Sequence, residues 1–262
     1  DDKHDTFFNF AAGPFKFEGE IAVEVLTRSG RVCNHVPIKS ERLTNKNYFL
    51  SEIFPKVQST SLTGATIKIL QPKQILFYGR LFTGVINKRT KSFSANHSYY
   101  DSSDVEEYFE NSVSTRVFPL FKGCVNRINM YPIMSPSVLS IQIKFKNGDE
   151  SLSSKAIELH SPSEQSISID VEEMRKEFGL TDVTAFEVIA SAISGKVPTR
   201  VNHQLVYGSY QSALKSSINV SLSNSEIFLP PRKRGLAWGQ MVFDENYESY
   251  MGICFENADD EE

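Results

Sequence analysis

Two stretches of the chain set an asparagine beside a histidine. They are "TKSFSANHSYYDS" at residues 90–102 and "KVPTRVNHQLVYG" at residues 196–208. Asn96 and His97 are followed by Tyr99, Tyr100 and Asp101. Asn202 and His203 are preceded by Arg200 and followed by Tyr207. Imidazole, carboxamide and phenol on a common rim make directional hydrogen bonds to a sugar or a carboxylate, and Asp101 is placed to orient His97. Trp238, between Gly235 and Gly239, would extend such a rim with a stacking surface if it lies near Arg200 and Tyr207. Those ten residues are the ligand-binding candidates. The competing reading is structural: each histidine crosses the edge of a sheet and its ring nitrogens are satisfied by backbone.

Other chemistries have less support. Histidines at 4, 35, 97, 160 and 203 form no HxH, HxxxH or HExxH pair, so no zinc site is expected. The terminal "NADDEE" gathers hard oxygen ligands without the EF-hand spacing. There is no G-x-S-x-G elbow, no Walker loop and no G-x-G-x-x-G, and Cys124 in "FKGCVNRI" has no neighbouring histidine in sequence. No catalytic residue, metal or cofactor is expected. Two basic clusters, "INKRTK" (86–91) and "PPRKRG" (230–235), read as exposed turns able to touch an acidic partner or a phosphate.

The elements that must carry these residues are strands. "LSIQIKFKNGDE" alternates Leu139, Ile141, Ile143 and Phe145 with polar residues and closes on Asn147-Gly148-Asp149. "EIAVEVLTRSGR" repeats the pattern with Ile21, Val23 and Val25, 118 residues earlier. At the same offset "LTGAT" (62–66) matches "LTDVT" (180–184). Twelve extra residues around "KQILFYGRLFTGV" then change the offset to 106, which lays Asn96-His97 on Asn202-His203. Helical signal is confined to "IDVEEMRKEFG", with Asp170 as cap and Gly179 as stop, and to a stunted counterpart "LSEIFPK" ended by Pro55. The expected fold is all-β: two tandem homologous β-sandwich units, jelly-roll-like, with few short helices. The first covers residues 1–118. The second covers 119–262 and includes a closing C-terminal strand, "GICFENADDEE". The apolar extra segment is expected at an interface between units or chains.

The second unit's "FEVIASAISGKVPTRVNHQ" resembles the soluble transducer proteins associated with microbial sensory rhodopsins. Their strand of the form V-P-x-x-V-(Q/N)-H is matched by Val197, Pro198, Val201, Asn202 and His203, and their C-x-x-N-A-G-D-E turn by Cys254, Asn257, Ala258 and Asp259. The resemblance covers about half of the second unit. It implies a small β-sandwich, assembled as a symmetric oligomer, that works by binding without catalysis. Family members are single sandwiches, and Thr90 and Lys91 stand here where the first unit would need Val-Pro, so rhodopsin signalling does not carry over.

Composition fits this class: 262 residues, 40% hydrophobic, 19 Phe and 10 Tyr, with a net charge of −4. That balance argues against phosphate-driven nucleic-acid binding by the whole chain, and no apolar run is long enough for membrane insertion. Three widely spaced cysteines suggest free thiols in a reducing compartment. The start "DDKHDTF" and the acceptor triplets at Asn96 and Asn219 suggest instead a secreted chain after removal of a signal peptide. The sequence therefore reads as a non-enzymatic binding or assembly protein, cytoplasmic or secreted, recognising a protein partner, another copy of itself or a carbohydrate. The alternatives are an architectural subunit of an extracellular layer or filament, and a hydrolase using His97 or His203.

Overall fold

The computed structural model describes residues 3–11, 13–14, 16–27, 29–57, 62–70, 81–97, 109–110, 113–130, 139–148, 150–159, 167–192, 197–198, 201–212, 214–224 and 245. Tyr99, Tyr100, Asp101, Arg200, Trp238, the second basic cluster and the segment expected to form a C-terminal strand lie outside them.

The described chain is mostly β, in antiparallel sheets. Strands β1 (His4–Ala11), β4 (Asn45–Phe49), β6 (Phe82–Asn87) and β7 (Phe93–His97) form a sheet in the order β4-β1-β6-β7. Strands β2 (Phe17–Thr27), β3 (Gly30–Ser40) and β5 (Leu62–Leu70) form a second, in the order β3-β2-β5. Alternation explains why they stack: Phe8, Phe10 and Tyr48 from the first and Ile21, Val23, Val25 and Ile38 from the second share one buried cluster. Helix α1 (Leu50–Ile53) follows β4 directly and buries Leu50 in that cluster.

Residues beyond β8 (Phe109–Glu110) build a larger sheet. It contains β9 (Ser114–Pro119), β10 (Cys124–Met130), β11 (Leu139–Asn147), β12 (Glu150–Leu159), β13 (Ile167–Asp170), β14 (Ala185–Ala192), β16 (Val201–Ser209) and β17 (Ser216–Asn224). Its order is β12-β11-β14-β9-β17-β16-β10-β13, while β15 (Val197–Pro198) pairs with β8. Two pairings, Ser223–Thr115 and Asn224–Ser114, join its halves. Both halves feed one core, with Ile141, Ile143, Phe186 and Val188 from one side and Ile128, Met130 and Leu205 from the other. The expected alternation along β11 holds, since every second residue from Leu139 to Phe145 is buried. Helix α2 (Val171–Glu177) also lies where its signals put it. The Asp170 carboxylate accepts from the Glu172 and Glu173 amides, and Gly179 at φ +65 ends it.

The two sets of strands correspond in order: β1 to β7 with α1 matches β10, β11, β12, β13, α2, β14, β16 and β17 in turn. Registers fix the match. Phe8 pairs with Tyr48 and Thr83, as Ile128 pairs with Ile169 and Leu205. Ile21 pairs with Val36 and Ile69, as Ile141 pairs with Ile157 and Ala190. The offset is thus 120 (8 to 128, 21 to 141) and rises only to 122 (83 to 205).

This register corrects the alignment read from the sequence. The 118-residue offset is two short on β2 and β11, an even slip that keeps the buried face. "LTGAT" lies inside β5, whereas "LTDVT" precedes β14. The twelve-residue insertion disappears: β6 is the regular counterpart of β16 and lies between β1 and β7 in its sheet. Asn96-His97 is therefore on the counterpart of β17, and Asn202-His203 on the counterpart of β6. The two motifs occupy different strands of the pattern.

Candidate functional site

Successive strand residues face opposite sides of a sheet, so Asn96 and His97 cannot share a rim. Asn96 pairs with Thr83, opposite Phe8, on the core side. Its amide donates to the Ser217 carbonyl of β17 at 2.9 Å. His97 pairs with Phe82, opposite Asn9, on the outer side. Its backbone carbonyl accepts from the side-chain amide of Asn219. Both asparagines therefore tie β7 to β17, its own counterpart.

His203 is buried, at 3% exposure, and meets Phe118 edge-on with ring centroids 5.4 Å apart. Its matched position in the first set is Leu81, buried at 5%. Tyr207 is half-buried, donates its hydroxyl to the Pro119 carbonyl at 3.2 Å and packs edge-on against Phe121. Asn202 pairs with Ser221. Of the candidates that are described, the structure joins Asn96 and His97 to β17 and sets His203 and Tyr207 in or against the second core, and it gathers no rim from these four.

A different group is gathered on the outer face of the four-stranded sheet. One row across it runs Phe49, Phe7, Gly84, Ala95; the next runs Asn47, Asn9, Phe82, His97; a third holds Asp5, Ile86 and Phe93. Phe93 and Phe82 are 67% and 53% exposed. Phe7 and Phe49 lie with ring centroids 6.0 Å apart, and the Asn9 amide donates to the Asn47 side-chain oxygen at 2.6 Å. Gly84 makes room for Phe7, because a Cβ there would stand 2.8 Å from that ring and 2.5 Å from the Ser94 carbonyl. The signal for this face was present in the sequence. "TFFNF" places Phe7 and Phe8 on opposite sides of one strand, and only one side can be core.

The first basic cluster borders this face. Asn87 is buried, and its side-chain oxygen accepts from the Arg89 and Thr90 amides at 3.0 and 2.9 Å. Those bonds fold residues 88–91 into a tight turn with Lys91 at φ +59. Lys88, Arg89 and Lys91 are exposed, beside the row that ends in Phe93.

A second polar cluster anchors α2. The buried Glu172 carboxylate takes two bonds from the Arg175 guanidinium, at 2.8 and 2.9 Å, and one from the Gly123 amide at 3.1 Å. The Arg175 bond lowers the Glu172 pKa, outweighing the opposing effect of burial. Buried Asn126 closes the adjoining turn through the Phe121 amide and the Phe121 and Cys124 carbonyls. These contacts are structural: every polar atom they use faces another part of the same fold.

Among the described residues no cluster of three or more His, Cys, Asp or Glu is placed to hold a metal ion, and no helix is long and apolar enough to cross a membrane. Comparison with protein-family models, curated proteins and solved structures found no match.

Proposed function

We propose that this chain is a binding and assembly protein that works without catalysis. Its outer aromatic face is seated against a protein surface, a second copy of the chain included. The observation that carries this reading is that face itself. The solvent side of a sandwich sheet is ordinarily polar, whereas this one presents Phe82 and Phe93 largely exposed, with Phe7, Phe49 and Ile86 between them and the neighbouring strands. Aromatic residues are enriched at interface cores because each removes a large area from water at small entropic cost. The matched order of the two strand sets suits an origin by duplication. The resemblance to soluble transducer proteins suits assembly of such sandwiches into an oligomer.

A carbohydrate ligand is the second reading. The Asn9–Asn47 pair and His97 lie among the phenylalanines, an arrangement of amide, imidazole and ring that suits a sugar's hydroxyl and C–H faces. Replacing Phe82 and Phe93 by serine tests both readings. Loss of self-association supports assembly. Loss of binding on a glycan array, with the molar mass unchanged, supports the sugar.

A further inference from the structure

The outer aromatic face is bordered by charge of one sign. Its turn holds Lys88, Arg89 and Lys91 exposed, with no acid among residues 87–92. Among the described residues of the three rows that cross the face, the one carboxylate is Asp5, which accepts from the Ser51 hydroxyl. Two such faces laid together would set the cations of each against little but Asp5.

The complement lies on the second strand set. Residues 170–182 contain five acids and two cations. Both cations are engaged within the fold. Arg175 donates to the buried Glu172 carboxylate, and the Lys176 ammonium stands 5.5 Å from the centre of the Tyr210 ring. Glu173, Glu177 and Asp182 are exposed around the end of α2, and Phe178 among them is 39% exposed. This corner offers a ring and three carboxylates where the face offers rings and three cations. The imbalance extends to the halves of the chain. Residues 1–118 hold 15 Lys and Arg against 13 Asp and Glu, whereas residues 119–262 hold 13 against 19.

On the reading that the face serves assembly, we infer that its occupant is the α2 corner of a second copy of this chain. The rings supply the water-excluding centre of the contact, and the opposed charges set its register and its rate of encounter. Such exposed charge pairs are screened by salt. Because the two surfaces differ, each can be destroyed on a separate copy.

The test mixes two variants. Phe82→Ser with Phe93→Ser loses the face and keeps the corner. Glu173→Lys with Glu177→Lys and Asp182→Lys loses the corner and keeps the face. Thermal melts establish that both are folded, and light scattering reads the molar mass of each alone and of the two in equal amounts. The expected result is a parent chain that assembles less as salt is raised, each variant alone at the 29.6 kDa protomer mass, and a mixture that forms pairs of one copy of each. A corner variant that assembles as the parent does, beside a face variant that stays single, means that the face pairs with itself. That overturns this inference and leaves assembly through the face standing. A mixture that stays single also overturns the inference. A face variant that assembles, or a parent chain that stays single, overturns both. If the reversed corner does not fold, Glu177→Gln with Asp182→Asn takes its place. It should weaken association by about threefold to tenfold, and an unchanged affinity overturns the inference.

Discussion

The side-chain amide of Asn219 donates to the backbone carbonyl of His97, so a residue of the last described strand closes on the β7 strand of the first sheet. With the Asn96 bond to Ser217, this clamp joins strands that occupy matching places in the two sets. A net hydrogen bond is worth roughly 1 kcal/mol, so two of them make a modest joint between two large cores. Replacing both asparagines by alanine should leave each core folded and separate their unfolding. The check is calorimetry: one transition in the parent chain, two in the double variant.

The two histidines of the repeated motif should behave differently. His203 fills a core position against Phe118, and cutting a side chain of that size to alanine costs about 2–4 kcal/mol. His97 has its side chain on the half-buried outer face, and His97→Ala should cost under about 1 kcal/mol. Urea unfolding of the single variants measures both. Equal effects would restore the reading of a duplicated site.

Gly84 should tolerate no side chain. A methyl group there meets the Ser94 carbonyl at 2.5 Å and the Phe7 ring at 2.8 Å, and the carbonyl cannot move without breaking the β6–β7 ladder. Gly84→Ala should cost about 1–3 kcal/mol, in the range of overpacking. Phe7→Leu in the same chain should recover only part of it, as thermal melts of the two variants would show.

Acid should loosen the second core through Glu172. Its folded-state pKa lies below the ordinary 4.5, chiefly through Arg175. Its stabilising contribution is therefore complete above that value and is lost as the pH falls through the depressed one. Glu172→Gln, which leaves the Arg175 charge buried beside a neutral amide, should cost about 3–5 kcal/mol at neutral pH and flatten the acid limb of the stability profile. Urea midpoints from neutral pH to below pH 4 would read both effects.

At the other end of the scale, Tyr210 is pushed up to about 12, by loss of hydration first and then by Asp170, Glu172 and Glu173. Its neutral form favours the fold below the ordinary value of 10, and that contribution disappears as the pH rises through 12. Tyr210→Phe should remove one late-ionising phenol from an absorbance titration.

Local pattern made much of this fold legible in the sequence. The alternation from Leu139 to Phe145, the Asn147-Gly148 turn, the Asp170 cap, the Gly179 stop and the short helix ahead of Pro55 all depend on neighbours a few residues away. The correspondence of the two halves depends on which strands pair, and single letters mislead there. A two-residue slip leaves an alternating strand looking right, and an Asn-His pair recurred on a different strand by coincidence of type. The candidate site was obscured for a related reason. Histidine draws attention as a titratable group, but His203 occupies the place that Leu81 holds in the first core. The outer aromatic face is built from phenylalanines on four strands; "TFFNF" hints at it, and its extent becomes visible when Phe7, Phe49, Phe82 and Phe93 are brought into register.

The central claim, recognition through that face, is tested most directly by the molar mass in solution of the parent chain beside the Phe82→Ser, Phe93→Ser double variant. Light scattering across a concentration series is the measurement. The parent chain should rise above its 29.6 kDa protomer mass as concentration increases. The variant should stay at that mass, with the same melting temperature because neither ring belongs to a core. A parent chain that remains a monomer throughout, or a variant that assembles equally well, would contradict assembly through this face.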